Sequence, residues 1–151
     1  MDSSQIHTLT DTFEGHAQQT EQGVEYWLAR DLQQLLGYSK WENFQAVIAK
    51  ARTACEVSGH VVENHFPDVR KMVRIGSGTE REIDDIMLTR YACYLVAQNG
   101  DPRKQEIAFA QTYFAIQTRR AELTELRLLE AERLPARKKL MGTEEELSQL
   151  T

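Results

Sequence analysis

The sequence has no long hydrophobic run, and this excludes a chain built around a membrane-spanning helix. Its longest uncharged apolar run, Tyr91–Ala97, is far shorter than the roughly 20 residues that a helix needs to cross a bilayer. The start of the chain, Met1–Ser4, lacks the positive and apolar regions of a secretory signal peptide. We therefore expect a cytoplasmic protein with no membrane partner.

Cysteine is scarce as well, because Cys55 and Cys93 are the two cysteines among 151 residues. Both lie in apolar, helix-like patterns, which predicts reduced and buried thiols instead of a disulfide framework. The spacing of Cys55, His60 and His65 matches no zinc signature, and the sequence offers no evident fourth ligand. We therefore expect no metal site and no cofactor.

The sequence also lacks the motifs of the common enzyme classes. It contains no GxxxxGK[ST] and no GxGxxG, and Gly76–Gly78 has neither a third glycine nor a following helix. Two pairs of acids, Glu80 with Glu82 and Asp84 with Asp85, could hold a metal or act as an acid/base pair. No nucleophile or positioned histidine accompanies them, so we expect a binding module and not an enzyme.

Positive charge is in short supply too, with 18 basic and 23 acidic residues and a net charge of −5. A domain that binds DNA through charge is normally basic, so this balance disfavours purely electrostatic binding. The imbalance is uneven, however. Residues 1–36 contain one basic and six acidic residues, whereas residues 37–78 contain six basic and four acidic residues. The middle of the chain is therefore the region where nucleic acid could bind.

Hydrophobic periodicity predicts an α+β fold that is mostly helical, with a small antiparallel sheet that includes a β-hairpin. Ser39 is the predicted N-cap of the third helix, and Glu42 is its capping-box partner. The predicted elements are a helix over Ile6–Phe13, a strand over Val24–Trp27, helices over Leu28–Leu36 and Trp41–Val57, a hairpin within residues 65–86, and helices from Thr89 and over Arg103–Gln117.

A helix-turn-helix pattern spans Leu28–Val57, with Gly37 in the turn. If it docks on DNA, the beginning of the second helix faces a groove or phosphates. The alternative is an ordinary helical hairpin that packs on the core. The candidate DNA contacts on this element are Ser39, Lys40, Asn43 and Lys50.

The predicted β-hairpin turns at Gly76–Gly78 and is rich in basic residues. A basic β-ribbon can enter a groove or lie along a backbone, and the turn amides could bind an anion. The alternative is a solvated hairpin whose glycines serve the turn, and the nearby acids weaken its positive field. The candidate DNA contacts here are Arg70, Lys71, Arg74 and Arg81.

Composition changes near Arg119, beyond which aromatic residues are absent and Glu, Leu, Arg and Lys dominate. A helix is predicted over Arg120–Arg133, with a kink or end at Pro135 and a new helix start after Gly142. Its leucines need a partner, because isolated helices of this length are marginal in water. They could pack on their own domain or fray, but we favour pairing with a second chain. The leucines on one side are Leu123, Leu126, Leu129 and Leu134.

Several stretches closely resemble the DNA-damage-inducible protein D family, over roughly residues 23–134. The first of them is also similar to the N-terminal domain of the BRO family of viral and phage proteins, which includes phage antirepressors. The stretches that carry the resemblance are Tyr26–Leu32, Leu36–Phe44, Met72–Gly78, Leu88–Pro102 and Ala110–Arg119.

The resemblance implies a regulatory role in the bacterial DNA-damage (SOS) response and an α+β domain associated with DNA binding. It also suggests action on the recombinase filament that forms on single-stranded DNA. The alternative is an antirepressor-like module that binds a repressor or recombinase without touching DNA. Residues 1–22 then form an N-terminal helix and loop, residues 23–118 a BRO-like domain, and residues 119–151 a helical segment shorter than in the family. No catalytic residue carries over.

Overall fold

A computed structural model describes the backbone of residues 1–149 and the side chains of residues 1–133. Met1–Ile116 form one compact unit, and the chain from Gln117 onward belongs to a second. The fold is α+β and mostly helical, which confirms the predicted class. Among the described helices, none is both long and apolar enough to cross a bilayer.

The order of elements along the chain alternates short strands with helices. The elements are α1 (Ser3–Gly15), β1 (Gln18–Gln19), β2 (Glu25–Leu28), α2 (Ala29–Leu35), α3 (Trp41–Val57), α4 (Val62–His65), β3 (Asp68–Arg74), β4 (Glu80–Thr89), α5 (Arg90–Gln98) and α6 (Gln105–Gln149).

The four strands form one antiparallel sheet in the order β1-β2-β4-β3. Strands β3 and β4 make the predicted hairpin, which closes with Arg74 opposite Glu80. Its tip is held by the amide of Gly78, which donates to the carbonyl of Ile75 at 2.9 Å. Gly78 has a φ of 79°, a conformation in which glycine avoids the strain of a Cβ. The predicted sheet is confirmed, with the two-residue strand β1 as an addition.

The core lies between the sheet and the helices, and large aromatic residues fill it. Phe13, Trp27, Phe44 and Phe114 are all fully buried. The indole Nε1 of Trp27 donates to the carbonyl of Phe13 at 2.9 Å, so the tryptophan's polar atom is satisfied inside the core. Helix α1 therefore packs on the same core as the sheet.

The start of α3 differs from the prediction at Ser39. The N-cap is Lys40, and no side chain caps the helix. Because the helix begins one residue later, Glu42 occupies the second helical position and cannot close a capping box, which needs the third. Its carboxylate still lies near the positive end of the helix dipole. The predicted Ser39 cap is therefore wrong.

The C-terminal helix also differs from the prediction. Helix α6 runs over Gln105–Gln149. It therefore does not end at Pro135, and no second helix starts after Gly142. Proline removes one backbone donor at a cost of about 3 kcal/mol, and the strong helix formers on both sides favour continuation. The side chain of Leu134, predicted to extend the leucine stripe, lies outside the described residues.

Candidate nucleic-acid interface

The turn between α2 and α3 is a closed helix C-terminus. The amide of Gly37 donates to the carbonyl of Gln34, and the amide of Tyr38 donates to the carbonyl of Gln33, which together make a Schellman motif. Gly37 has a φ of 79°, as this motif prefers at that position. The side-chain amide of Gln33 also donates to the carbonyl of Tyr38 at 3.0 Å. The direction in which α3 leaves α2 is therefore fixed by the turn itself.

Helix α3 has a buried side and an exposed side. Phe44, Ile48, Ala51 and Cys55 recur at helical spacing and are buried. The predicted contacts Asn43 and Lys50 are exposed and lie seven residues apart, so they share the opposite, solvent-facing side.

Ser39 and Lys40 are exposed at the N-terminal end of α3. Among the described residues, the side chains of these two and of Asn43 and Lys50 make no ion pair or hydrogen bond with one another or with other side chains. The structure thus leaves all four free to contact a ligand. We call this set the α3 face.

The hairpin does not present its basic residues on one surface. Side chains alternate along a strand, so Arg70 and Arg74 lie on one face of the sheet while Lys71 lies on the other. Arg81 pairs with Val73 and therefore shares the face of Lys71.

Acidic residues neutralise most of the hairpin cations. Arg70 Nη1 lies 3.1 Å from Glu82 Oε2, and Lys71 Nζ lies 3.6 Å from Asp31 Oδ1 of α2. Arg74 sits directly opposite Glu80 across the strands. The hairpin is consequently a mixed-charge ribbon.

The α3 face and the hairpin point in different directions. Arg52, two residues after Lys50, places its Nη2 atom 3.4 Å from Asp68 at the start of β3. Positions two apart on a helix lie about 160° from each other around its axis. Lys50 therefore points away from the hairpin, and the eight predicted contacts do not form one continuous surface.

The structure gives Asp85 and Arg30 roles that the sequence reasoning missed. Asp85 is 1% exposed, and its Oδ1 atom accepts from the backbone amides of Arg30 at 3.0 Å and Ile86 at 2.8 Å. The guanidinium of Arg30 lies 4.0 Å from the centre of the Trp41 ring. Asp85 thus supplies a negative charge at the N-terminus of α2, which has no cap of its own. The signal in the sequence was an aspartate at a strand position next to apolar residues.

The histidines do not form a metal centre with Cys55. Among the residues that the structure describes, no three His, Cys, Asp or Glu side chains are placed to hold a metal ion. His65 Nδ1 instead lies 2.7 Å from Thr89 Oγ1, and its ring packs on Tyr91. Burial, and then the nearby His60, lower the pKa of His65.

Both cysteines are free and buried, as predicted. Burial raises the pKa of Cys93 well above its usual value, with Glu25 adding to the effect. Burial also raises the pKa of Cys55, and Glu63 contributes. Neither thiol has the environment of a reactive nucleophile.

The sequence that forms this fold matches a known family. Residues 16–115 match the BRO family, N-terminal domain, and the chain belongs to that family. It is 56% identical over 103 residues to DNA damage-inducible protein D of Escherichia coli (strain K12), and the match covers 68% of the chain. The resemblance predicted from the sequence is confirmed. The chain spans 38% of that relative's length, and no solved structure matches it.

Proposed function

We propose that this chain is a cytoplasmic regulatory module of the DNA-damage (SOS) response that binds DNA through the α3 face and carries out no catalysis. The family and the name of the relative support a regulatory role related to DNA damage. The observation that carries the DNA-binding part is that the exposed cations of the α3 face are unpaired among the described residues. Asn43 on this face can read a base edge, and the two lysines can contact phosphates.

The physical case rests on what surrounds the two lysines. Lys40 and Lys50 have no acidic side chain within ion-pairing distance in the described part of the chain, so their charge is available to a phosphate. Each phosphate that they neutralise releases condensed counterions, which favours binding most at low salt. The small residues Ala46 and Thr53 on the same side of the helix allow its backbone to approach a groove.

The test is a salt titration of binding to labelled duplex and single-stranded DNA, followed by fluorescence anisotropy. Replacing Lys40 and Lys50 together with alanine should weaken binding about tenfold at low salt. It should also reduce the slope of log affinity against log salt by about 2.

The matched control is Arg70→Ala with Arg74→Ala, which removes the same charge from the hairpin. Because acids already face these arginines, we expect affinity and slope to change little. A hairpin variant that weakens binding more than the α3 variant would move the interface to the hairpin. No binding to either DNA at low salt would refute DNA binding altogether.

The second candidate function is binding to a partner protein, a repressor or a recombinase filament, without DNA contact. The net charge of −5 favours it, and so do the leucines exposed on α6. Leu126 is 52% exposed and Leu129 48%, and these two leucines, three residues apart on a helix, form an apolar side that suits another helix. A second copy of the chain could cover the same side.

Sedimentation equilibrium of the full chain separates these outcomes. A dimer that Leu126→Ser with Leu129→Ser converts to a monomer would support self-association. The second function would be supported, and the first refuted, by a native chain that is a monomer, has no affinity for DNA and co-sediments with a recombinase filament.

A further inference from the structure

A cleft of about 420 Å³ opens between α3 and the hairpin, on the side of α3 opposite to the α3 face. Its volume falls in the range of roughly 300–1,000 Å³ that small-molecule sites occupy. The residues that line it and enter the argument are Trp41 and Arg52 from α3, Asp68 and Val69 from β3, and Asp85 from β4.

Asp85 lines this cleft and is buried. Asp85 pairs with Val69, so both side chains are on the face of the sheet that also carries Lys71, whose Nζ reaches Asp31 of α2. Helices α2 and α3 cover that face of the sheet. One oxygen, Oδ1, accepts from the amide of Arg30 in α2 and from the amide of Ile86 in β4. The other, Oδ2, is buried and has no hydrogen-bond partner among the described residues.

Arg52 presents the complementary atom. Its Nη2 atom contacts Asp68, whereas its Nε–H is buried and has no acceptor among the described residues. The same cleft therefore contains an acceptor that needs a donor and a donor that needs an acceptor. Contacts within the fold account for Asp85 Oδ1 and Arg52 Nη2, but not for Asp85 Oδ2 and Arg52 Nε. Leaving such buried groups unmatched is costly, which makes a ligand that satisfies both favourable.

The two unmatched atoms restrict the charge of the ligand. A simple anion would satisfy Arg52 but is repelled by the Asp85 carboxylate. An arginine or lysine side chain would satisfy Asp85 but offers no acceptor to Arg52. A neutral group that carries an N–H donor and an acceptor on one edge satisfies both.

The lining of the cleft favours a flat ring. Trp41 forms one wall, with its ring held by the guanidinium of Arg30 and packed on Phe44. The indole and the aliphatic Val69 give an apolar surface against which a planar heterocycle can stack. A single side-chain amide would leave most of the volume unfilled.

We propose that this cleft binds an unpaired nucleobase, whose N–H group donates to Asp85 Oδ2 and whose ring or carbonyl acceptor receives the Nε–H of Arg52. The base can come from a free nucleotide or from a single-stranded nucleic acid. A duplex cannot deliver it, because its bases are stacked and paired. This site is separate from the α3 face.

The test follows the fluorescence of Trp41 in the full chain. The chain has two tryptophans, and Trp27 is fully buried in the core, so a ligand in the cleft should change the emission of Trp41. The probes are the four deoxynucleoside monophosphates at millimolar concentration, a short single-stranded oligonucleotide, and an abasic oligonucleotide of the same length. We expect quenching by probes that carry bases and none by the abasic strand.

Asp85→Asn is the informative variant, because its amide oxygen can still accept from Arg30 and Ile86 while a donor replaces Oδ2. It should bind the base about tenfold more weakly. Glu80→Gln at the hairpin tip removes the same charge outside the cleft and should bind the monophosphates like the native chain. Arg52→Lys retains the charge near Asp68 but lacks the Nε–H, so it provides a second variant if Asp85→Asn is unstable.

Quenching by the monophosphates assigns a free nucleotide as the source, and quenching by the oligonucleotide alone assigns a single strand. The inference is overturned if no base-carrying probe changes Trp41 emission, which would mean that solvent fills the cleft. It is also overturned if the abasic strand quenches equally, or if Asp85→Asn binds as tightly as the native chain. Duplex DNA cannot deliver an unpaired base, so its binding reports on the α3 face alone, and failure at the cleft is distinguishable from failure of the α3 face.

Discussion

The α3 face and the β3–β4 hairpin are both rich in cations for their size, yet they differ in what surrounds each cation. On the α3 face, Lys40 and Lys50 have no ion-pair partner among the described residues. On the hairpin, Arg70 contacts Glu82, and Lys71 contacts Asp31. A run of basic residues in a sequence is therefore a poor measure of positive potential, because folding can place acids beside the cations. Helical periodicity separates charges by side, whereas an antiparallel hairpin brings two stretches of sequence into register.

The largest expected effect concerns the two sides of α3. Phe44→Ala removes a fully buried ring and should lower the free energy of unfolding by about 3–5 kcal/mol. Asn43→Ala, one residue earlier but exposed, should change it by no more than about 0.5 kcal/mol. Urea denaturation of both variants measures this contrast. Similar losses from both would show that Asn43 stabilises the fold and is not reserved for a ligand.

The next effect concerns the packing of α3 on the core, which the labelling rate of its buried Cys55 reports. Both thiols have raised pKa values and are inaccessible, so a thiol reagent should label the native chain about 100-fold more slowly than the unfolded chain. Peptide mapping by mass spectrometry distinguishes Cys55 from Cys93, whose Sγ donates to the carbonyl of Leu88 at 3.7 Å. Fast labelling at Cys55 alone would mean that α3 detaches, and the comparison between its sides would lose its basis.

A smaller effect tests whether the acids of the hairpin reduce the attraction of its arginines to DNA. Glu80→Gln with Glu82→Gln frees the arginines opposite and should raise DNA affinity about two- to fivefold at low salt. The matched control, Asp11→Asn with Glu21→Gln, makes the same change in net charge near the N-terminus. An equal gain in the control would show that net charge matters and the pairing within the hairpin does not.

The smallest effect involves His65, the last residue of α4, which follows α3 and precedes β3 along the chain. Burial lowers its pKa in the folded chain, so the unfolded chain binds a proton more readily. The stabilising contribution is present above the unfolded value of about 6.5 and decreases as the pH falls toward the folded pKa. Denaturation midpoints at about pH 7.5 and pH 5 should therefore differ more in the native chain than in His65→Gln. An identical difference in both would assign the pH dependence to other groups.

Much of the fold was predictable because the apolar pattern changes period where the structure changes type. Two glycines between apolar segments marked the hairpin of β3 and β4, and helical spacing marked α3 and α5. The pattern missed β1, because its two residues, Gln18 and Gln19, are polar and exposed. It also allowed a helix end at Pro135, as the alternative to a kink, because local propensity could not weigh one lost hydrogen bond against the helix formers around it.

The candidate site was less predictable. The exposure of Lys40, Asn43 and Lys50 followed from the buried stripe of α3, since helix geometry fixes the opposite side. The pairing of Lys71 with Asp31 did not, because it joins residues 40 apart in the sequence. The roles of Asp85 and Arg52 were missed for the same reason. The atoms that lack a partner among the described residues are buried only because three segments distant in the sequence meet in the fold.

Strand β4 divides its length between two kinds of pairing, with a consequence for local opening. Its first part, Glu80–Ile86, pairs with the neighbouring strand β3, and its last part, Met87–Thr89, pairs with β2 about sixty residues earlier. Side chains near Glu80 are exposed on both faces, whereas Leu88 is fully buried. Amide protons along this single strand should thus exchange with solvent at graded rates, fastest at the hairpin tip and slowest beside Trp27, so that the tip can unzip while the pairing that joins β4 to β2 stays closed.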